Sequence, residues 1–146
     1  VSFVSQRAEH ARHIADYLKE FAWTHFATLT TDGRTSPPEL QRRFANVFVR
    51  RLERALQGPV RWFYAIEGTT EAETLHVHAL LWTRATLHSS QVQKAWPLGF
   101  VHLAPYVFGQ GANSYVTKAL DFHSSDLYDF SAIAPPRRTE LRQGGV

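Results

Sequence analysis

The chain has 146 residues, which suits one domain with a real core and leaves little room for two. Cysteine is absent, so disulfides and thiolate metal sites are excluded; no apolar run is long enough to cross a membrane, and no charged-then-apolar leader marks export. The formal net charge is +3, and its sixteen basic residues include only three lysines, Lys19, Lys94 and Lys118, a balance that suits a phosphate-bearing partner as well as it suits a merely arginine-rich composition.

Methionine is absent too, position 1 included, so a trimmed or processed piece of a longer protein is expected. The first element, from Ser5 to Phe21, reads as a helix, because Ala11, Ile14, Leu18 and Phe21 recur at helical spacing. Trp23 to Thr31 is rich in aromatic and β-branched residues and runs into the turn signal Asp32-Gly33, so a strand is expected. A helix starts at Ser36-Pro37-Pro38-Glu39: Ser36 as the cap, Pro37 at the first helical position, Glu39 completing a capping box. Leu40, Phe44, Val47, Phe48, Leu52 and Leu56 form its apolar stripe, and Gly58-Pro59 stops it. Val60–Glu67 and Thr74–Trp82 read as two strands of a hairpin. A weaker helix spans Ser89–Ala95, and a strand runs from Phe100 to Phe108, with Pro105 arguing for an edge or a bulge. A short helix follows from Asn113 to Leu120. Residues 131–146, with Pro135-Pro136 and Gly144-Gly145, read as a linker or tail.

Between the first and last helices the order is strand-helix-strand-strand-helix-strand. This is the ferredoxin-like pattern, and it predicts an α+β fold: an antiparallel sheet of four to five strands with helices on one face and the other face open to a substrate.

Chemistry concentrates in Leu75-His76-Val77-His78-Ala79-Leu80-Leu81. Alternate side chains of a strand share a face, so His76 and His78 point one way and Val77, Ala79 and Leu81 the other. Two adjacent imidazoles are half of a metal site, or simply two surface histidines lying outside the core. Glu67 ends the preceding strand. Paired opposite His76 or His78 its carboxylate joins the histidine face; opposite Val77 it would point away. Two nitrogens and one carboxylate leave room for water and substrate oxygens without fixing which divalent ion binds. Downstream, Tyr115 and Lys118 are three apart and share a helix face. A free phenol, with a pKa near ~10, is a poor nucleophile at neutral pH. A nearby ammonium or metal favours its phenolate.

Together these features resemble the HUH endonucleases, a superfamily that includes rolling-circle replication initiators of plasmids and small DNA viruses, relaxases and single-tyrosine transposases. The His-hydrophobic-His strand is His76-Val77-His78, the upstream acidic ligand is Glu67, and the Tyr-x-x-Lys helix is Tyr115-Val116-Thr117-Lys118. An early Phe-x-Thr-Leu-Thr-like strand is similar to Phe26-Ala27-Thr28-Leu29-Thr30. The order is that of replication initiators; relaxases usually place the tyrosine first. Some initiators carry a second tyrosine one turn on, where this chain has Ala119.

The resemblance implies an HUH endonuclease domain over residues 1–130, with its core at 23–120. It implies transesterification of single-stranded DNA, with Tyr115 as nucleophile, Lys118 assisting, and Mn2+ or Mg2+ held by Glu67, His76 and His78. Thr28, Thr30, Arg42 and Arg43 are the candidate DNA contacts. The implied partners are single-stranded DNA at an origin-like hairpin or nick site, and a helicase or further domains; no membrane is involved. The implied location is on DNA in the cytoplasm, in a prokaryotic host. Two other readings stay open: a transposase or mobilisation nuclease with the same site, and a non-catalytic ferredoxin-like module that stacks bases on aromatic residues.

Overall fold

The computed structural model describes residues 3–31, 35–68, 75–109 and 128–139. The elements are α1 (Phe3–Leu18), β1 (His25–Thr30), α2 (Pro37–Arg43), α3 (Val49–Leu56), β2 (Val60–Glu67), β3 (His76–Thr83), α4 (Ser89–Ala95), β4 (Val101–Pro105) and β5 (Tyr128–Phe130), with a π-helical segment, Phe44–Phe48, between α2 and α3. The expected helix at 113–120, and with it Tyr115 and Lys118, lies outside the described residues.

The strands form one antiparallel sheet in the order β4-β1-β3-β2-β5. The first four strands are ordered as the ferredoxin-like pattern requires, and β5 extends the β2 edge. The expected α+β class therefore holds. Sheet alternation divides the molecule into two layers of packing. On one face, Ala27, Leu29, Trp62, Tyr64, Ile66, Val77, Ala79 and Leu81 form a core with Leu40, Phe44, Phe48, Leu52, Val92 and Trp96 from α2, the π segment, α3 and α4. On the other, α1 lays Ala11, Ile14 and Leu18 over Phe63, Ala65 and Leu80. So α1 covers one end of the face that the helix layer leaves free. The other end carries Glu67, His76, Thr28 and Thr30. No helix among the described residues is long and apolar enough to cross a membrane.

The single helix expected from Pro37 to Leu56 contains an irregularity with a sequence cause. Its most buried residues, Leu40, Phe44, Phe48 and Leu52, recur every fourth position, and each is 0% exposed. In an α-helix such a repeat rotates off its face by roughly 40° per step. The wider π turn rotates the stripe back, so all four side chains reach the sheet. At the helix start, the Glu39 N–H donates to Ser36 Oγ at 3.4 Å, with Pro37 as the first helical residue. The Glu39 carboxylate faces Arg42 and Arg43 at 3.7 and 3.5 Å.

Residues 131–146 read as a linker or tail from composition; of these, 131–139 are described. The Ala22 N–H donates to Pro136 O, the Arg138 N–H to Glu20 O and the Ser131 N–H to Trp62 O, each at 2.9 Å. The guanidinium of Arg138 also lies 3.4 Å over the Phe108 ring centroid.

Thr30 ties β1 to the start of β4. Its Oγ1 accepts from the Phe100 N–H at 2.7 Å and donates to Phe100 O at 3.0 Å, while its carbonyl accepts from Trp96 Nε1 at 2.8 Å. This crossing leaves no room at Gly99, where a Cβ would be driven into the Thr30 carbonyl and lie 2.8 Å from its Oγ1. Gly99→Ala is therefore expected to cost about 1–3 kcal/mol through forced displacement of that junction. Urea unfolding of the variant measures it, and an unchanged midpoint would show that the contact relaxes freely.

Candidate active site

The register settles which way Glu67 points. Glu67 pairs with His76, Ala65 with His78 and Ile66 with Val77. Thus Glu67 shares a face with both histidines, one of the two arrangements that put its carboxylate there. β1 brings Thr28 opposite His78 and Thr30 opposite His76. β4 then places His102 opposite Thr28. A row of side chains from four strands results on the end of the face that α1 leaves free.

The two histidines differ. His78 is only 3% exposed, whereas His76 is half-buried. The expectation that both lie outside the core is therefore wrong for His78. Its ring is parallel to that of Phe26 within 5° and to that of His76 within 7°, with centroids 6.3 Å away in both cases. His78 Nε2 is 2.6 Å from Glu67 Oε2, and its Nδ1 is 3.5 Å from Thr28 Oγ1. With the proton on Nε2, the ring donates to Glu67 and accepts from the Thr28 hydroxyl. Burial pushes the His78 pKa down; the hydrogen bond and charge of Glu67 pull it up, and His76 adds a further downward push. A neutral imidazole is thereby favoured, the form that ligates metals.

The donors suit a divalent ion in type, being two imidazoles and a carboxylate on one face. Glu67 and His78 already touch. The third donor, His76, stands beside them, and among the described residues no three such side chains close on a common point as placed. His76 and Glu67 are both half-buried rather than enclosed, so rotation of these two side chains is what convergence requires.

Other expected residues separate from this cluster. Thr28 contacts the His78 ring, and the Thr30 hydroxyl is committed to Phe100. Arg42 and Arg43 belong to α2, whose Leu40 packs on the opposite sheet face, so the structure does not bring them to the histidines. His102 and Phe26 join the histidine face although nothing in the sequence pairs them with His78. Only the strand register reveals it, since His102 stands at the same parity on β4 as Thr28 on β1.

A family model of replication-associated proteins, the ORF2 type, matches residues 24–121, which spans β1 to β4 and continues past Lys118. Among solved structures, the chain is similar to the hypothetical protein ORF119 of Sulfolobus islandicus rod-shaped virus 1. The likeness has 18% identity and a TM-score of 0.54, and covers 75% of this chain and 93% of that one. It is a likeness of fold. No curated protein matches the chain.

The unequal burial generates a test of the cluster that needs no activity. His78→Ala removes a buried ring and strands the contacts of Phe26 and Glu67, at an expected cost of about 1–3 kcal/mol. His76→Ala should stay within about 0.5 kcal/mol of the parent. Denaturant unfolding in chelator compares them; equal losses would contradict the buried position of His78.

Proposed function

Because this chain belongs to the ORF2 family of replication-associated proteins, we propose that it is an HUH-type endonuclease that nicks and rejoins single-stranded DNA to start rolling-circle replication. The observation that carries the reading is the pairing of Glu67 with His76, which sets a carboxylate and two imidazoles on the uncovered end of one sheet face. The matched stretch also includes Tyr115-Val116-Thr117-Lys118, the nucleophile motif of the resemblance.

In this reading the Tyr115 phenolate attacks the scissile phosphorus. A bond forms between the phenolic oxygen and phosphorus, and the bond from phosphorus to the 3′ oxygen breaks. The 3′ oxygen leaves and takes a proton, and the 5′ phosphate stays on Tyr115. A second 3′-hydroxyl reverses the sequence and joins DNA without ATP. Lys118 stabilises the phenolate and the charge that develops. Glu67, His76 and His78 would hold Mn2+ or Mg2+, which when bound supplies polarisation of the phosphate oxygens. For His78 to ligate through Nε2, its ring proton must sit on Nδ1, from where it donates to Thr28 Oγ1. Thr28 is thus a positioning residue that sets the ring's tautomer and direction.

Tyr115→Phe keeps the ring and removes the attacking atom. The covalent DNA adduct on a denaturing gel should fall by on the order of a thousandfold or more, while noncovalent binding of single strands persists. Lys118→Ala should slow cleavage by roughly a hundredfold with adduct still visible. Chelator should stop cleavage by the parent. A normal adduct from Tyr115→Phe, or full cleavage in chelator, would overturn the mechanism.

Thr28→Val replaces the hydroxyl with a methyl of similar shape. Mn2+ affinity, read by electron paramagnetic resonance of the free ion, should fall about tenfold, as loss of an orienting partner does elsewhere. Unchanged affinity would assign Thr28 no part in orienting His78.

A further inference from the structure

At the far end of the histidine face, beyond α1, a wide-mouthed cavity of about 450 Å3 opens between the end of α1, the ends of β2 and β3, and residues 134–137. Its volume falls in the range of ligand sites. Tyr17, Phe21 and Trp82 form aromatic walls, and Arg61, Arg84 and Arg137 bring three guanidiniums to the lining, which contains no carboxylate among the described residues. Arg61 stands opposite Trp82 in the β2–β3 pair, so a cation and an indole share one face. Neither Arg61 nor Arg84 makes an ion pair among the described residues. Concentrating guanidiniums beside exposed ring surface costs self-repulsion, which an anionic ligand removes.

We propose that this cavity is a second contact for single-stranded DNA, with a base stacked against Trp82 or Tyr17 and its phosphates gripped by Arg61 and Arg84. Flat aromatic surface recognises a nucleobase, and a guanidinium fork recognises a phosphate; a single strand presents both together. Trp82 and His76 lie on the same strand and the same face, six residues or about 20 Å apart. A strand held at the histidines therefore has a second anchor on the same molecule, around the end of α1. The choice of DNA as the ligand rests on the function proposed above; the charge and shape of the cavity do not.

The test uses the full chain and a labelled oligodeoxythymidylate of about 20 nucleotides carrying 5-iodouracil, longer than one domain's footprint. Binding is read by anisotropy in chelator, so no cleavage intervenes. For the Arg61→Glu/Arg84→Glu variant, affinity should fall at least tenfold. The slope of log K against log salt should shrink by roughly 1.4, the share of two phosphates. Irradiation of the parent should crosslink a peptide containing Trp82 or Tyr17. Arg84→Gln, at an exposed position, gives a smaller loss in the same direction should the double variant fail to fold. Unchanged affinity and slope, no crosslink in either peptide, or no single-strand binding by the parent would overturn the proposal. So would competition by thymidine monophosphate as effective as that of the oligonucleotide, which would assign the cavity to a free nucleotide. The nuclease reading fails separately: a crosslink at Trp82 from a parent that never forms a Tyr115 adduct leaves the cavity standing and removes the nickase.

Discussion

Everything on the candidate site depends on one register, that of β3 between β1 and β2. Val77, Ala79 and Leu81 are each fully buried on the helix-layer side, which leaves His76 and His78 no choice of face. A slip of one residue would drive both imidazoles under Phe44 and Trp62 and expose three apolar side chains, so the pairing is held by the burial of the residues that do no chemistry. The same pairing sets Glu67 beside His76 and Thr28 beside His78. Core formation and assembly of the polar cluster are one event.

Within the cluster, the burial gradient divides the labour. His78 is enclosed by Phe26, Glu67 and Thr28, with both ring nitrogens engaged. Such a ring is preorganised, and desolvation keeps it neutral. His76 and Glu67 keep access to water and freedom to turn. A rigid donor flanked by two adjustable ones suits a site that must accept an ion and a substrate oxygen in the same place.

Much of this was legible in the residues. The bounds of β2 and α4 agree with those expected, and the alternation around Val77 assigned both histidines to one face without coordinates. The choice of partner for Glu67 was open, because a hairpin loop of six residues does not fix register. The burial of His78 was not legible, since it depends on Phe26 in a neighbouring strand and on α1 folding over the adjacent end of the sheet. β5, Tyr128–Phe130, is too short to show an alternation of its own. The π turn hides in a pattern that looks helical: a period of four passes for 3.6 until the drift is followed over several turns. Arg42 and Arg43 were plausible phosphate contacts by type alone. Their helix packs on the other side of the sheet, which sequence-local reasoning cannot see.

The two ends of the sheet are built differently from its middle. β4 closes one edge and finishes at Pro105, which has no N–H to offer a further strand. β5 closes the other with three residues, one of them Asp129, whose carboxylate accepts from the Phe130 N–H at 2.8 Å and so occupies a donor next to the edge. Short, charged and proline-bearing rims are poor templates for another chain's backbone. The described molecule thus discourages edge-to-edge aggregation between copies and leaves the broad surface of the sheet, rather than its margins, to meet other molecules.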